Sequence, residues 1–196
     1  MLACDIVSAV IRARVAAIVG LLALCASDPR AASAGEVIQP PFNLKWGEPA
    51  LRLEEALLGT SARIAERGNI SGGGEVWRVE GLPGIALHGV SFRLRAGKLT
   101  EVELQYSKAD WSPATYEAFM QNVRRRVEES YGPGTPITRQ RETERGIIKT
   151  LVGHRWESAG SAIELYYFAA EDPTNSFRSV SLHYKGPASA PAEDAQ

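Results

Sequence analysis

Cysteine is almost missing from this chain of 196 residues: Cys4 and Cys25 are the only two. Both precede residue 35, so the rest of the chain carries no thiol. That excludes a disulfide staple, a cysteine metal cluster and a thiolate nucleophile from everything downstream. Histidine is nearly as scarce. His88, His154 and His183 show no metal-ligand spacing. His154 and His183 fall in predicted strands of the same half, and a metal pair would require them to converge; single strand histidines more often hydrogen-bond locally. No serine sits in a Gly-x-Ser-x-Gly elbow. Ser71-Gly72-Gly73-Gly74 lacks the Gly-Lys-Ser/Thr ending of a phosphate loop and falls between two strands, so it reads as a hairpin connection. No cofactor is implied by any of these residues.

Charge of one sign is lacking too. The formal net charge is −1, so bulk electrostatics favours neither nucleic acid nor an anionic membrane surface. Arg124-Arg125-Arg126 is followed at helical contact spacing by Glu128 and Glu129, which suits a solvated helix face. Nucleic-acid binding is not expected.

A long hydrophobic run is likewise absent. Residues 15–26 are apolar throughout but too few to span a bilayer. With Arg12 and Arg14 ahead of them and Ala32-Ser33-Ala34 behind, residues 1–34 read as a signal peptide cleaved after Ala34. The chain is thus expected to be exported, to the periplasm or beyond. Cys25 after Leu22-Ala23-Leu24 resembles a lipobox, but Leu24 stands where a small residue belongs, so lipidation is the lesser alternative. Removing residues 1–34 takes away three arginines and two aspartates and leaves a nearly neutral mature chain with no membrane span.

What is present is ordinary globular composition, 44% hydrophobic and 23% charged, enough for a core without staples. Residues 35–41 form a lead-in, 42–185 a single α+β domain, and 186–196 a disordered tail rich in Gly, Pro, Ala, Ser and acid. A first helix starts near Pro49, with Leu53 and Leu57 on one face and Gly59 as its stop. A second follows Ser112 as cap and Pro113 as first helical residue. Tyr116, Phe119, Met120, Val123, Val127 and Tyr131 form its stripe, and Gly132 closes it.

Four strands are predicted after each helix, over 62–67, 75–80, 89–95 and 99–106, then 137–142, 147–156, 162–169 and 178–185. Apolar residues alternate at 90/92/94, 102/104/106 and 180/182/184, which points to an antiparallel sheet with helices on one face only. At Ala96-Gly97, both flanking strands carry apolar residues at even numbers, so paired numbers must sum to an even value. A three-residue loop with Gly97 left-handed meets this and pairs Val90 with Val102 and Ser91 with Glu101. Arg93 and Arg95 then lie near Glu101 and Glu103. The order helix, four strands, helix, four strands suggests a tandem repeat over 42–106 and 107–185.

Leu44-Lys45-Trp46-Gly47, Leu57-Leu58-Gly59, Phe92, Gly97-Lys98-Leu99 and Val102 carry a likeness to a known architecture. The pattern resembles the β-lactamase-inhibitor-protein-like fold, which includes outer-membrane assembly lipoproteins of the SmpA/OmlA type. The resemblance implies a concave sheet that binds another protein. No inhibitory loop residue carries over from it.

One strand suggests where such binding would occur. If Ile163, Leu165 and Tyr167 face the core, Tyr166 and Phe168 lie on the open face with Glu164, beside Arg155 and His183. Aromatics next to arginine are common at protein-binding hot spots. The chain's own tail, or the loop over 172–177, could instead cover them. These five residues form the candidate surface, and an envelope protein is the expected partner. The alternative is an exported hydrolase or small-ligand enzyme built on Glu101, Glu103, Glu164 and His183, which would need a pocket that holds at least two of them. No catalytic or metal-ligating residue is singled out beyond that alternative.

Overall fold

Alternating apolar residues become strands when each can pair, and all eight predicted strands do. The structure is a computed structural model that describes residues 35–58, 60–71 and 73–187. The expected signal peptide with Cys4 and Cys25, the stop at Gly59 and the tail beyond Pro187 lie outside the described residues. The elements run α1 (Ala50–Leu57), β1 (Arg63–Ile70), β2 (Gly74–Glu80), β3 (Leu87–Arg95) and β4 (Lys98–Tyr106). Then come α2 (Pro113–Tyr131), β5 (Thr135–Glu144), β6 (Ile147–Ser158), β7 (Ser161–Glu171) and β8 (Ser176–Lys185). The strands form one antiparallel sheet in the order β1-β2-β3-β4-β8-β7-β6-β5. The fold is therefore α+β, with far more strand than helix.

Three of the hairpins turn through an Xaa-Gly pair. Ala96-Gly97, Arg145-Gly146 and Ala159-Gly160 all have positive φ at both positions, the geometry whose twist matches that of paired strands. The Ala96-Gly97 turn differs from the three-residue loop expected. It is a two-residue turn closed by Arg95 opposite Lys98, and a bulge between Arg93 and Leu94 restores the parity. Beyond the bulge Phe92 faces Val102, Ser91 faces Glu103 and Arg93 faces Glu101. One extra residue in one strand thus does what the longer loop was expected to do.

The central joint is β4 against β8, with Leu104 opposite Leu182 and Tyr106 opposite Val180. From there the apolar face continues through Leu165 and Tyr167 of β7 to His154 and Val152 of β6. Phe92, Val102, Ile163, Leu165 and Val180 are buried almost completely, each stabilising the fold by roughly 1.5–3 kcal/mol. Helix α2 lies on this face. Ser112 caps it by accepting from the Thr115 N–H at 3.2 Å, Gly132 ends it with φ 77°, and Tyr116, Met120 and Val127 are its buried residues. Phe119 packs on Tyr106 with ring centroids 5.0 Å apart. Arg124 pairs with Glu128 as expected; Arg125 bonds Asn122 instead of Glu129. Helix α1 buries only Leu53.

The lead-in is tied to the same body. Ile38 is fully buried; its N–H donates to Ser161 Oγ at 2.7 Å, and its carbonyl accepts from Trp46 Nε1. Gly186 is held as well, donating to the Thr100 carbonyl at 2.8 Å.

Candidate functional site

The pleat that sends Leu165 and Leu182 inward sends their neighbours to the opposite face. There the register sets four polar residues in one row across four strands. Glu103 of β4 faces His183 of β8, His183 faces Glu164 of β7, and Glu164 faces Arg155 of β6. A second row runs Gln105, Ser181, Tyr166 and Gly153, and a third runs Ser179, Phe168 and Leu151. The five candidate residues, Arg155, Glu164, Tyr166, Phe168 and His183, therefore share the face opposite the one on which α2 packs.

At the centre of this face is an unusual group: the Glu164 side chain is only 5% exposed although it is a carboxylate on the face opposite the core. Lys185, diagonal on β8, donates to its carboxylate at 2.7 Å. The Tyr166 hydroxyl donates at 3.0 Å, and Arg155 stands 3.3 Å away. Burial works against ionisation, but Lys185 and Tyr166, with Arg155, outweigh it and hold the Glu164 carboxyl below its ordinary range. It is thus a buried carboxylate satisfied on several sides, the condition under which burying a charge is tolerated. The Tyr166 hydroxyl is pushed up, first by burial and then by its bond to this carboxylate.

His183 shares a hydrogen bond of 2.9 Å with Ser181 Oγ through Nε2, and Tyr166 meets its ring edge-on at 5.4 Å. Burial lowers its pKa despite Glu103 and Glu164 nearby, so at neutral pH the ring is uncharged. The 3.8 Å approach of Glu103 to Nε2 is then not an ion pair. Serine, histidine and glutamate are close here, but serine and carboxylate address the same ring nitrogen. A nucleophilic triad needs the acid on the other nitrogen, where it orients the base. Glu101 sits further along β4 and pairs with Arg93 at 3.3 Å, as the predicted charge lattice requires. Of the enzymatic alternative, Glu103, His183 and Glu164 thus stand in one row on an open sheet, and Glu101 is engaged by Arg93.

His154 and His183 do not converge. His154 faces Leu165 on the helix side, whereas His183 faces Glu164 on the other side. The expected loop over 172–177 meets the aromatics through its last residue, and Tyr166 and Phe168 are half-buried. Its last residue, Phe177, lies 6.1 Å from Phe168 between ring centroids and is itself 56% exposed, so it enlarges the apolar part of the face. Phe177 and Lys185 were not among the candidates. Alternation already set Lys185 on the wet face, but nothing local linked it to Glu164. Phe177 lay one residue before the strand predicted from 178.

No family model matches this chain, and no curated protein or solved structure matches it. Among the described residues, no helix is long and apolar enough to cross a membrane.

Proposed function

We propose that this chain is a non-enzymatic protein-binding module of the bacterial cell envelope, exported by residues 1–34 and engaging its partner through the uncovered sheet face. The observation that carries the reading is the segregation on that face. Charged groups gathered around Glu164 adjoin an aromatic strip of Tyr166, Phe168 and Phe177, a mixture typical of interface cores and their polar rims. A rigid sheet presents these groups without an ordering cost, which favours association. The hydrolase alternative has less support, because its residues lie on an open sheet face and the carboxylate nearest His183 addresses the same ring nitrogen as Ser181.

On the same reading the chain is two helix-plus-four-strand units, 42–106 and 107–185, joined along their last strands, as in the β-lactamase-inhibitor-like architecture it resembles. The sheet order, in which two four-strand meanders meet at β4 and β8, is what supports this.

The test is crosslinked capture from envelope extract on the immobilised chain, beside a Tyr166→Ala/Phe168→Ala variant of equal thermal stability. A partner retained by the parent and lost from the variant is the expected result. Equal capture by both would move the interface off this face, and no enriched protein would remove the reading.

A further inference from the structure

The other side of the sheet carries a second feature, independent of the open face. Helix α2 covers β7 and β8, and β5 and β6 extend beyond it. A groove of about 1150 Å³ remains between the helix and the β5–β7 margin, somewhat above the ordinary size of small-molecule pockets. Ala114 and Ala118 on the helix and Ala169 on β7 are small residues that line it.

Charge in the groove is unevenly countered. Arg124 is paired with Glu128, and Glu171 with Arg178. Arg139 and Arg141 also line it. They are two apart on β5, facing Val152 and Thr150, so their side chains leave the same strand face about 7 Å apart. Among the described residues neither has a carboxylate within ion-pair distance. The one carboxylate lining the groove without such a partner is Glu117, on the helix.

His154 lines the groove as well. It is 7% exposed, and its Nδ1 is buried without a hydrogen-bond partner. A buried polar atom left unpaired is costly, and Thr138 Oγ1, which lines the same groove, is buried without a partner too. Burial, then Arg124, hold the imidazole below its ordinary pKa, so at neutral pH the ring offers a hydrogen bond and not a charge.

We propose that this groove binds a small organic oxyanion, a carboxylate or a phosphate, with Arg139 and Arg141 holding the anionic group and His154 beside it. Paired guanidinium groups recognise planar carboxylate and tetrahedral phosphate oxygens alike, and Val152, Ala169 and Ala118 offer apolar surface to a short carbon skeleton.

The experiment follows the three histidine rings by NMR in the full chain at pH 7.5. Glutarate and inorganic phosphate are titrated separately, with chloride at matched ionic strength as control. The expected result is a saturating shift of the His154 ring with at least one of the two anions, with His88 and His183 unmoved. Saturation by glutarate alone identifies a carboxylate ligand, and by phosphate alone a phosphorylated one. Arg139→Gln/Arg141→Gln, exposed positions whose exchange spares the core, should weaken the binding about tenfold or more, the factor expected for losing a charge-assisted contact. No saturating shift with either anion, or undiminished binding in the double variant, overturns the proposal.

Discussion

Lys185 reaches diagonally across the β7–β8 ladder and donates to the buried carboxylate of Glu164 at 2.7 Å. The lysine is 37% exposed and the glutamate 5%, so the two sides of the pair are not equivalent. Loss of the lysine leaves a buried charge short of a partner, whereas loss of the glutamate leaves a cation that water can reach.

Lys185→Ala is therefore expected to destabilise more than a surface ion pair would, by about 1–3 kcal/mol, the cost of an under-satisfied buried polar group. Glu164→Leu should cost less than Lys185→Ala, because an apolar side chain needs no partner there. Urea unfolding of both variants at pH 7.5 makes the comparison. The opposite ranking would show that the carboxylate contributes net stability to the fold.

Stability should fall with acidification in two stages. His154 and His183 are both depressed below 6.5, chiefly by burial, with Arg124 adding to the effect at His154 and Lys185 at His183, against Glu128, Glu103, Glu164 and Glu101. The unfolded chain then binds more protons, so this contribution is full above about pH 6.5 and is lost as pH drops through the folded values. Glu164 is depressed below 4.5 by Lys185, Tyr166 and Arg155, and its contribution goes in a lower window. Urea midpoints between pH 8 and pH 4 should show a plateau, a decline beginning near 6.5 and a further decline below about 4.5. His154→Gln/His183→Gln should abolish the first decline only. A midpoint that rises between pH 7.5 and 5.5 would contradict the assignment.

Gly134 has no room for a side chain. A Cβ there would stand 2.5 Å from the Trp156 ring, and Trp156 is buried with Nε1 donating to the Gly132 carbonyl at 3.0 Å. Gly134→Ala must displace that ring or the backbone, so we expect a loss of about 1–3 kcal/mol, the usual range for overpacking. A redder tryptophan emission should accompany it. Parent-like stability and emission would mean the loop yields freely.

Asp172 closes the β7–β8 connection by accepting from the Thr174 N–H and hydroxyl and from the Asn175 N–H, each at 2.7 Å. These bonds favour the charged form and bring its pKa down to about 2. Carboxyl carbon NMR should find that midpoint. Thr174→Ala removes the hydroxyl contribution and should move it up toward 3.8, and an unchanged midpoint would count against the turn geometry.

The alternation at 90/92/94, 102/104/106, 163/165/167 and 180/182/184 determined by itself where strands form and which side chains turn to the core. Ser112-Pro113 and Gly132 likewise determined the long helix, because cap chemistry is local. Even the shared face of Arg155, Glu164, Tyr166, Phe168 and His183 was legible, since period two assigns a face before any partner is known. Tertiary structure decided what period two cannot carry. It placed β8 between β4 and β7, which brings Glu103 beside His183 and Lys185 to Glu164. It chose a two-residue turn with a bulge opposite the Arg93–Leu94 step, with Thr100 the extra residue, over a longer loop that meets the same parity. It also buried Ile38, whose carbonyl accepts from Trp46 Nε1. The β4–β8 joint and the seat of Ile38 depend on which distant segments meet, a matter of closing long loops and filling one core, and not on the order of neighbouring residues.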